Sequence, residues 1–106
     1  MSAKVHVVSP KGILDGTQAS GFREEVSQEV NNDAEIVLVD FKDVTFMDSS
    51  GLGALVLAMK TVRSAGGKMF VCSVNEQVKM LFELTSMDRV FEIFESREAF
   101  EQSVSS

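Results

Sequence analysis

The residues of this chain best suited to chemistry are two adjacent serines, Ser49 and Ser50. Asp48 comes directly before them, and Gly51 and Gly53 follow at the start of a long apolar-periodic segment. The start of a helix leaves backbone N–H groups without partners and carries the positive end of the helix dipole. An exposed serine at such a place can cap the helix, act as a nucleophile or accept a phosphoryl group, and each alternative implies a different function.

A hydrolytic role for the serines requires a base, and the sequence offers a poor one. A nucleophilic serine is normally activated by a histidine that an acid orients. His6 is the one histidine of the chain and lies near its start, in an expected strand. The segment D-S-S-G-L-G also differs from the G-x-S-x-G pattern of hydrolase nucleophiles. We therefore expect no catalytic residues and no enzymatic activity.

The sequence also provides little for a metal or a cofactor. One histidine and one cysteine cannot form a zinc site, and we expect His6 to face solvent or a polar neighbour. Cys72 lies in a continuous apolar run, which predicts a buried and unreactive thiol. The glycines at positions 51 and 53 lack the third glycine of a dinucleotide-binding loop. No metal and no cofactor are expected.

Size, charge and hydropathy narrow the class of protein. The chain has 106 residues, which predicts a single domain over residues 1–106. Sixteen acidic and ten basic residues give a net charge of −6, and the basic residues are scattered, so a nucleic-acid partner is not expected. No apolar run is long enough to span a membrane, and residues 1–5 do not resemble a secretory leader. With its single cysteine, the chain is expected to be cytoplasmic.

Hydrophobic patterning predicts strands that alternate with helices. Apolar, β-branched runs predict strands at residues 4–8, 13–15, 36–39, 68–73 and 90–94. The first two runs are separated by a turn, which predicts a hairpin. The continuous apolar run of the third is typical of a central strand covered on both faces. With about four helices, the predicted fold class is α/β, built on a single mixed or mostly parallel sheet of four to five strands.

The helix after the serines has the clearest periodicity in the sequence. Apolar residues recur at i, i+3, i+4 and i+7 in Leu52, Leu55, Val56 and Met59. Lys60 and Arg63 take the opposite side, and the glycines at residues 66–67 end the helix. Ser73 and Glu76 have the spacing of a capping box, which predicts that the next helix starts at Ser73.

Capping accounts for one serine but not for the whole segment. A cap at Ser49 or Ser50 would stabilise the helix by about 0.5–2 kcal/mol. Only one serine is needed for that, and the acid before it and the paired glycines after it exceed the requirement. A first helical turn without bulky side chains lets another backbone approach closely, either from the same chain or from a partner.

Residues 44–53, V-T-F-M-D-S-S-G-L-G, resemble the signature of the anti-sigma factor antagonists, which are small bacterial STAS-domain proteins. Further similarity, in the order of the family's pattern, occurs at residues 12–19, 66–69, 78–82 and 85–88. The resemblance therefore extends over nearly the whole chain, and it implies the STAS fold.

The resemblance implies a phosphorylation switch. In this family the serine directly after the aspartate of the signature is phosphorylated, which corresponds to Ser49 here, with Ser50 as the second choice. The implied partner is an anti-sigma factor that is also a serine kinase; the unphosphorylated form binds it and releases the sigma factor. A PP2C-type phosphatase restores that form. The alternative is a STAS scaffold or interaction module that is never phosphorylated.

The expected partner surface combines residues 48–53, which we call the serine loop, with the exposed side of the following helix. We also expect Asp15, at the end of the second strand, to lie beside this loop and to help orient it. The residues expected to contact the partner are Asp15, Asp48, Ser49, Ser50, Gly51, Leu52, Lys60 and Arg63.

Overall fold

The computed structural model describes residues 4–105 and shows the predicted alternation of strands and helices, with one additional strand. The strands are β1 (Val5–Val8), β2 (Gly12–Leu14), β3 (Ile36–Asp40), β4 (Val44–Met47), β5 (Lys68–Cys72) and β6 (Ile93–Phe94). The helices are α1 (Ala19–Asn31), α2 (Ser49–Ser64), α3 (Glu76–Leu84) and α4 (Arg97–Ser105). A 3-10 turn at Met87–Arg89 follows α3, and β6 is shorter than the predicted last strand.

The strands in the described part of the chain form two sheets, and every pairing in them is parallel. The larger sheet has the order β1–β3–β5–β6, and β2 pairs with β4 in a separate two-stranded sheet. The α/β class and the mostly parallel sheet are therefore confirmed. The strands are divided between two sheets, however, because β2 leaves the main sheet and pairs with the additional strand.

The predicted hairpin of the first two strands is wrong, because each of them pairs with a later strand. Val8 of β1 packs into the main core, while Val7 packs against a second cluster. A strand with apolar residues on both faces is stabilised within a sheet that helices cover on both sides, and an isolated hairpin cannot provide that burial. Gly12, with a φ of 72°, begins β2, and its N–H donates to the carbonyl of Asp43 at 2.8 Å.

The additional strand, β4, lies directly before the serine loop and is not apparent from the sequence pattern. Val44 and Met47 are buried, whereas Thr45 and Phe46 between them are both exposed. The register with β2 also shifts within the ladder. The strand therefore lacks the strict alternation by which a half-buried strand is recognised.

The central strand is β3, which is covered on both faces as predicted. Val37 and Val39 are fully buried in the main core, which includes residues of α1, α2 and α3. Leu38 belongs to the second cluster, where it packs with Cys72 and with Phe100 of α4. Burial raises the pKa of the Cys72 thiol to about 11, which agrees with the predicted unreactive cysteine.

The amphipathic character predicted for the helix after the serines is confirmed in α2. Leu52, Leu55 and Met59 of the predicted stripe are buried. The helix ends at Ser64, and Gly66 takes a φ of 85° shortly after it. Because one side of α2 packs into the core, the first turn of the helix is held at the carboxyl end of β4.

The predicted start of α3 at Ser73 is wrong, since Asn75 caps this helix. The side chain of Asn75 accepts from the N–H of Val78 at 2.9 Å. Ser73 instead extends the pairing of β5 with β6, because its N–H donates to the carbonyl of Phe94 at 3.1 Å. The capping-box spacing of Ser73 and Glu76 is therefore coincidental. Asn75, which lies beyond the paired residues of β5 and β6, forms the cap instead.

Two observations on residues 4–105 concern metal ligands and membrane-spanning helices. No group of three or more histidine, cysteine or acidic side chains in this part of the chain could hold a metal ion. His6 Nδ1 lies 3.0 Å from a carboxylate oxygen of Glu29, so the polar neighbour expected for His6 is present. None of the helices described is both long enough and apolar enough to cross a bilayer.

Candidate functional site

The start of α2 is capped by Asp48, and neither serine takes that role. The backbone of Asp48 is extended, with φ −108° and ψ −175°, and its Oδ1 accepts from the N–H of Gly51 at 2.9 Å. Ser49 and Ser50 are both exposed, and neither hydroxyl is hydrogen-bonded to another described residue. The expectation that a serine could cap the helix is therefore wrong. Since an aspartate serves as the cap, both hydroxyls remain available for chemistry.

The first turn of α2 sits directly on the end of β2. A Cβ placed on Gly51 would lie 2.0 Å from the carbonyl oxygen of Leu14, a separation that no side chain can adopt. The same carbonyl accepts from the N–H of Asp48 at 3.4 Å. A Cβ on Gly53, in contrast, would meet nothing within 4 Å. The close approach allowed by Gly51 is thus intramolecular, whereas Gly53 faces open space.

The loop after β2 borders the serines through Gly16. A Cβ built on Gly16 would lie 3.6 Å from Cβ of Ser50, which is ordinary van der Waals contact. The carboxylate of Asp15 accepts from the hydroxyl of Thr17 at 2.6 Å and from its N–H at 3.0 Å. The Thr17 hydroxyl holds the pKa of Asp15 below its ordinary value. The carboxylate of Asp15 therefore orders its own loop, and the hydrogen bond to the start of α2 comes from the Leu14 carbonyl.

Apart from Asp15, which lies in the loop after β2, the residues expected to contact a partner belong to α2 and its cap, where they form two groups. Asp48, Ser49 and Ser50 lie together at its start, where Gly51 and Leu52 are buried beneath them. Two more, Lys60 and Arg63, are exposed further along the same helix. At 1.5 Å per residue, Lys60 is about 17 Å along the axis from Ser49. The loop itself thus presents the aspartate and the two serines, and the basic residues are distant from it.

Two polar side chains from the start of α3 hold β4, and the sequence contains no signal that distinguishes them from surface residues. Gln77 Oε1 accepts from the N–H of Met47 at 2.8 Å, and its Nε2 donates to the carbonyl of Met47 at 2.8 Å. Asn75 Nδ2 donates to the carbonyls of Val44 and Thr45 at 3.1 and 3.3 Å. Met47 is buried and directly precedes Asp48, so Gln77 holds the backbone in place where the serine loop begins.

We expect the substitution Gln77→Glu to lower the free energy of unfolding by about 1–3 kcal/mol. A carboxylate retains the acceptor for the Met47 N–H but loses the donor, so it faces the Met47 carbonyl without a hydrogen bond. Urea unfolding, followed by circular dichroism, measures the change. Gln28→Glu, at an exposed position on α1, is the matched control and should change stability by no more than about 0.5 kcal/mol. Equal midpoints for the two variants would show that the Gln77 contacts contribute nothing.

Comparison with known proteins assigns the family. The STAS domain profile matches residues 2–100. The anti-sigma-B factor antagonist of Bacillus subtilis is 30% identical over 86 residues, which cover 81% of this chain and 78% of that protein. This chain belongs to the anti-sigma factor antagonists of the STAS domain family. The resemblance found in the serine segment is therefore confirmed across the domain.

Solved structures of STAS proteins show the same fold as this antagonist-family chain. A crystal structure described as a candidate anti-sigma factor antagonist from Thermotoga maritima has a TM-score of 0.87 and 28% identity, covering 96% of this chain and 88% of that one. The unphosphorylated form of SpoIIAA gives a TM-score of 0.79 at 19% identity, covering 99% and 92% of the two chains. The phosphorylated form of this Bacillus cell fate determinant gives 0.70 at 18% identity, covering 96% and 93%. At such identities, the SpoIIAA structures support the fold alone.

Proposed function

We propose that this chain is an anti-sigma factor antagonist of a partner-switching pathway, acting in the cytoplasm. The unphosphorylated form binds an anti-sigma factor that is also a serine kinase, and the sigma factor is released. That kinase phosphorylates Ser49, which ends the binding, and a PP2C-type phosphatase restores the active form. Family membership supports the antagonist role. The observation that carries the switch is the exposed hydroxyl of Ser49, which is at the first residue of α2 and is not used as a cap.

A phosphoryl group at Ser49 is compatible with the fold of the free protein. It adds a charge of about −1.5 to −2 at the positive end of α2, where an anion gains about 0.3–2 kcal/mol from the helix dipole. No hydrogen bond between described residues is lost, since the Ser49 hydroxyl makes none. The SpoIIAA fold, for its part, is known in both an unphosphorylated and a phosphorylated form.

The same phosphoryl group is unfavourable at a protein interface. Binding removes water from it while Asp48, a like charge, is next to it in the chain. Desolvation of a charge costs several kcal/mol unless the partner offers cations in good geometry. Ser50 remains the second choice for the modification. A Cβ built on Gly16 would lie 3.6 Å from Cβ of Ser50, so Ser50 lies close to the loop after β2.

The test is phosphorylation by the cognate anti-sigma kinase with ATP, followed by intact-mass spectrometry. We expect one phosphoryl group on the wild-type chain and on Ser50→Ala, and none on Ser49→Ala. Modification that persists in Ser49→Ala and disappears in Ser50→Ala would transfer the switch to Ser50. Absence of modification on the wild-type chain would favour the alternative, a STAS scaffold or interaction module that is not phosphorylated.

A further inference from the structure

The two-stranded sheet exposes a pair of large apolar side chains. Ile13 of β2 and Phe46 of β4 are partners in the ladder, and they are 53% and 45% exposed. The following pair, Leu14 and Met47, is buried. The small sheet therefore has a buried inner face and an apolar outer face. We call Ile13 and Phe46 the apolar pair.

The apolar pair adjoins the serine loop. Phe46 lies two residues before Asp48, at about 3.3 Å per strand residue, and the two strands are parallel, so both run toward the loop. The carbonyl of Leu14, which follows Ile13, accepts from the N–H of Asp48. A partner that covers the serine loop would therefore also contact the apolar pair.

Strand addition at the edge of β4 is disfavoured, which favours recognition of this face through its side chains. Backbone groups along β4 are bonded to the side chains of Asn75 and Gln77, so an incoming strand finds carbonyls of β4 already occupied. A second copy of this chain is also disfavoured as the occupant, because each copy carries a net charge of −6. The face therefore suits a different protein, one with an apolar surface and with cations near the position of Asp48.

We infer that the apolar pair is the docking contact through which this chain holds the anti-sigma kinase, with Ser49 as the switch at its border. This inference rests on the proposed function. Aromatic side chains are enriched at protein interfaces, and a few well-packed contacts supply most of the affinity. Docking of the pair brings Ser49 toward the water-excluded part of the interface. A phosphoryl group on Ser49 can then weaken kinase binding through the apolar pair without contacting either of its side chains.

The test compares the affinity of the purified kinase for Phe46→Thr, Ile13→Thr and the wild-type chain by isothermal titration calorimetry. Threonine is polar but retains a high strand propensity, so the small sheet is expected to persist. We expect Kd to rise at least about tenfold for Phe46→Thr and by a smaller factor for Ile13→Thr. The control is Val104→Thr, a 45% exposed residue of α4 on the other side of the main sheet, which should leave Kd within about twofold.

The outcomes separate this inference from the proposed function. If the kinase binds the wild-type chain and both threonine variants equally, the apolar pair is not the contact, and the proposed function stands. If the kinase does not bind the wild-type chain, both proposals fail. Sedimentation of the wild-type chain as a dimer that Phe46→Thr dissociates would assign the pair to self-association and overturn the inference. Circular dichroism of each variant verifies that the sheet has folded.

Discussion

Ser49→Asp is expected to weaken binding of the anti-sigma kinase at least about 100-fold, which corresponds to about 2.8 kcal/mol. The new carboxylate stands next to Asp48 at the start of α2, and both charges would have to lose water in the complex. The stability of the free protein should not decrease, because an acidic residue in the first turn of a helix stabilises it by about 0.3–1 kcal/mol. Calorimetric titration measures the affinity, and urea unfolding measures the stability.

The matched control for this prediction is Ser49→Asn. Asparagine has nearly the shape of aspartate without its charge, so a variant that binds within about fivefold of the wild type assigns the effect to charge. Equal weakening by Asn and Asp would mean that the interface rejects any larger side chain at this position. Undiminished binding by Ser49→Asp would contradict the proposed switch.

Gly51→Ala is expected to destabilise the fold by about 3 kcal/mol or more. The added Cβ would lie 2.0 Å from the carbonyl oxygen of Leu14, so β2 and the start of α2 must move apart. This strain outweighs the gain of about 1 kcal/mol that alanine normally brings to a helix in place of glycine. For a domain of this size, the melting temperature should fall by more than about 10 °C. Thermal unfolding followed by circular dichroism checks both the sign and the size.

Gly53→Ala, two residues along the same helix, is the control and should change the stability in the opposite direction. A Cβ there meets nothing within 4 Å, so only the helix propensity acts, and stability should rise by about 0.5–1 kcal/mol. Similar effects for the two variants would show that Gly51 is not in close contact with β2. A selective loss of kinase binding in Gly53→Ala would indicate that the partner's backbone approaches the helix at this point.

The start of α2 therefore meets two separate demands with different residues. Asp48 supplies the cap and Gly51 the close contact with β2, and together they hold the first turn in place. Ser49 contributes to neither, so its chemistry can change without loss of the fold. Under the proposed function, this separation lets a single modification control binding while the free protein stays folded.

Local patterns in the sequence determined much of this description. The periodic spacing of Leu52, Leu55 and Met59 predicted α2 and its buried side, and the continuous apolar run predicted β3 as the central strand. The serine segment and its resemblance predicted the STAS fold, which the comparisons confirm. These features could be predicted because helix period and strand composition act over a few neighbouring positions.

Strand pairing, the choice of caps and the support of the loop were decided only by the tertiary structure. β1 and β2 are neighbours in the chain but pair with β3 and β4, which follow them only after a helix. Gln77 holds Met47 from thirty residues away, and the Gly51 contact with Leu14 joins two different elements. Contacts of this kind form only where segments that are distant in the sequence come together in the fold. Local sequence patterns therefore do not predict which backbone groups they satisfy or where they exclude a side chain.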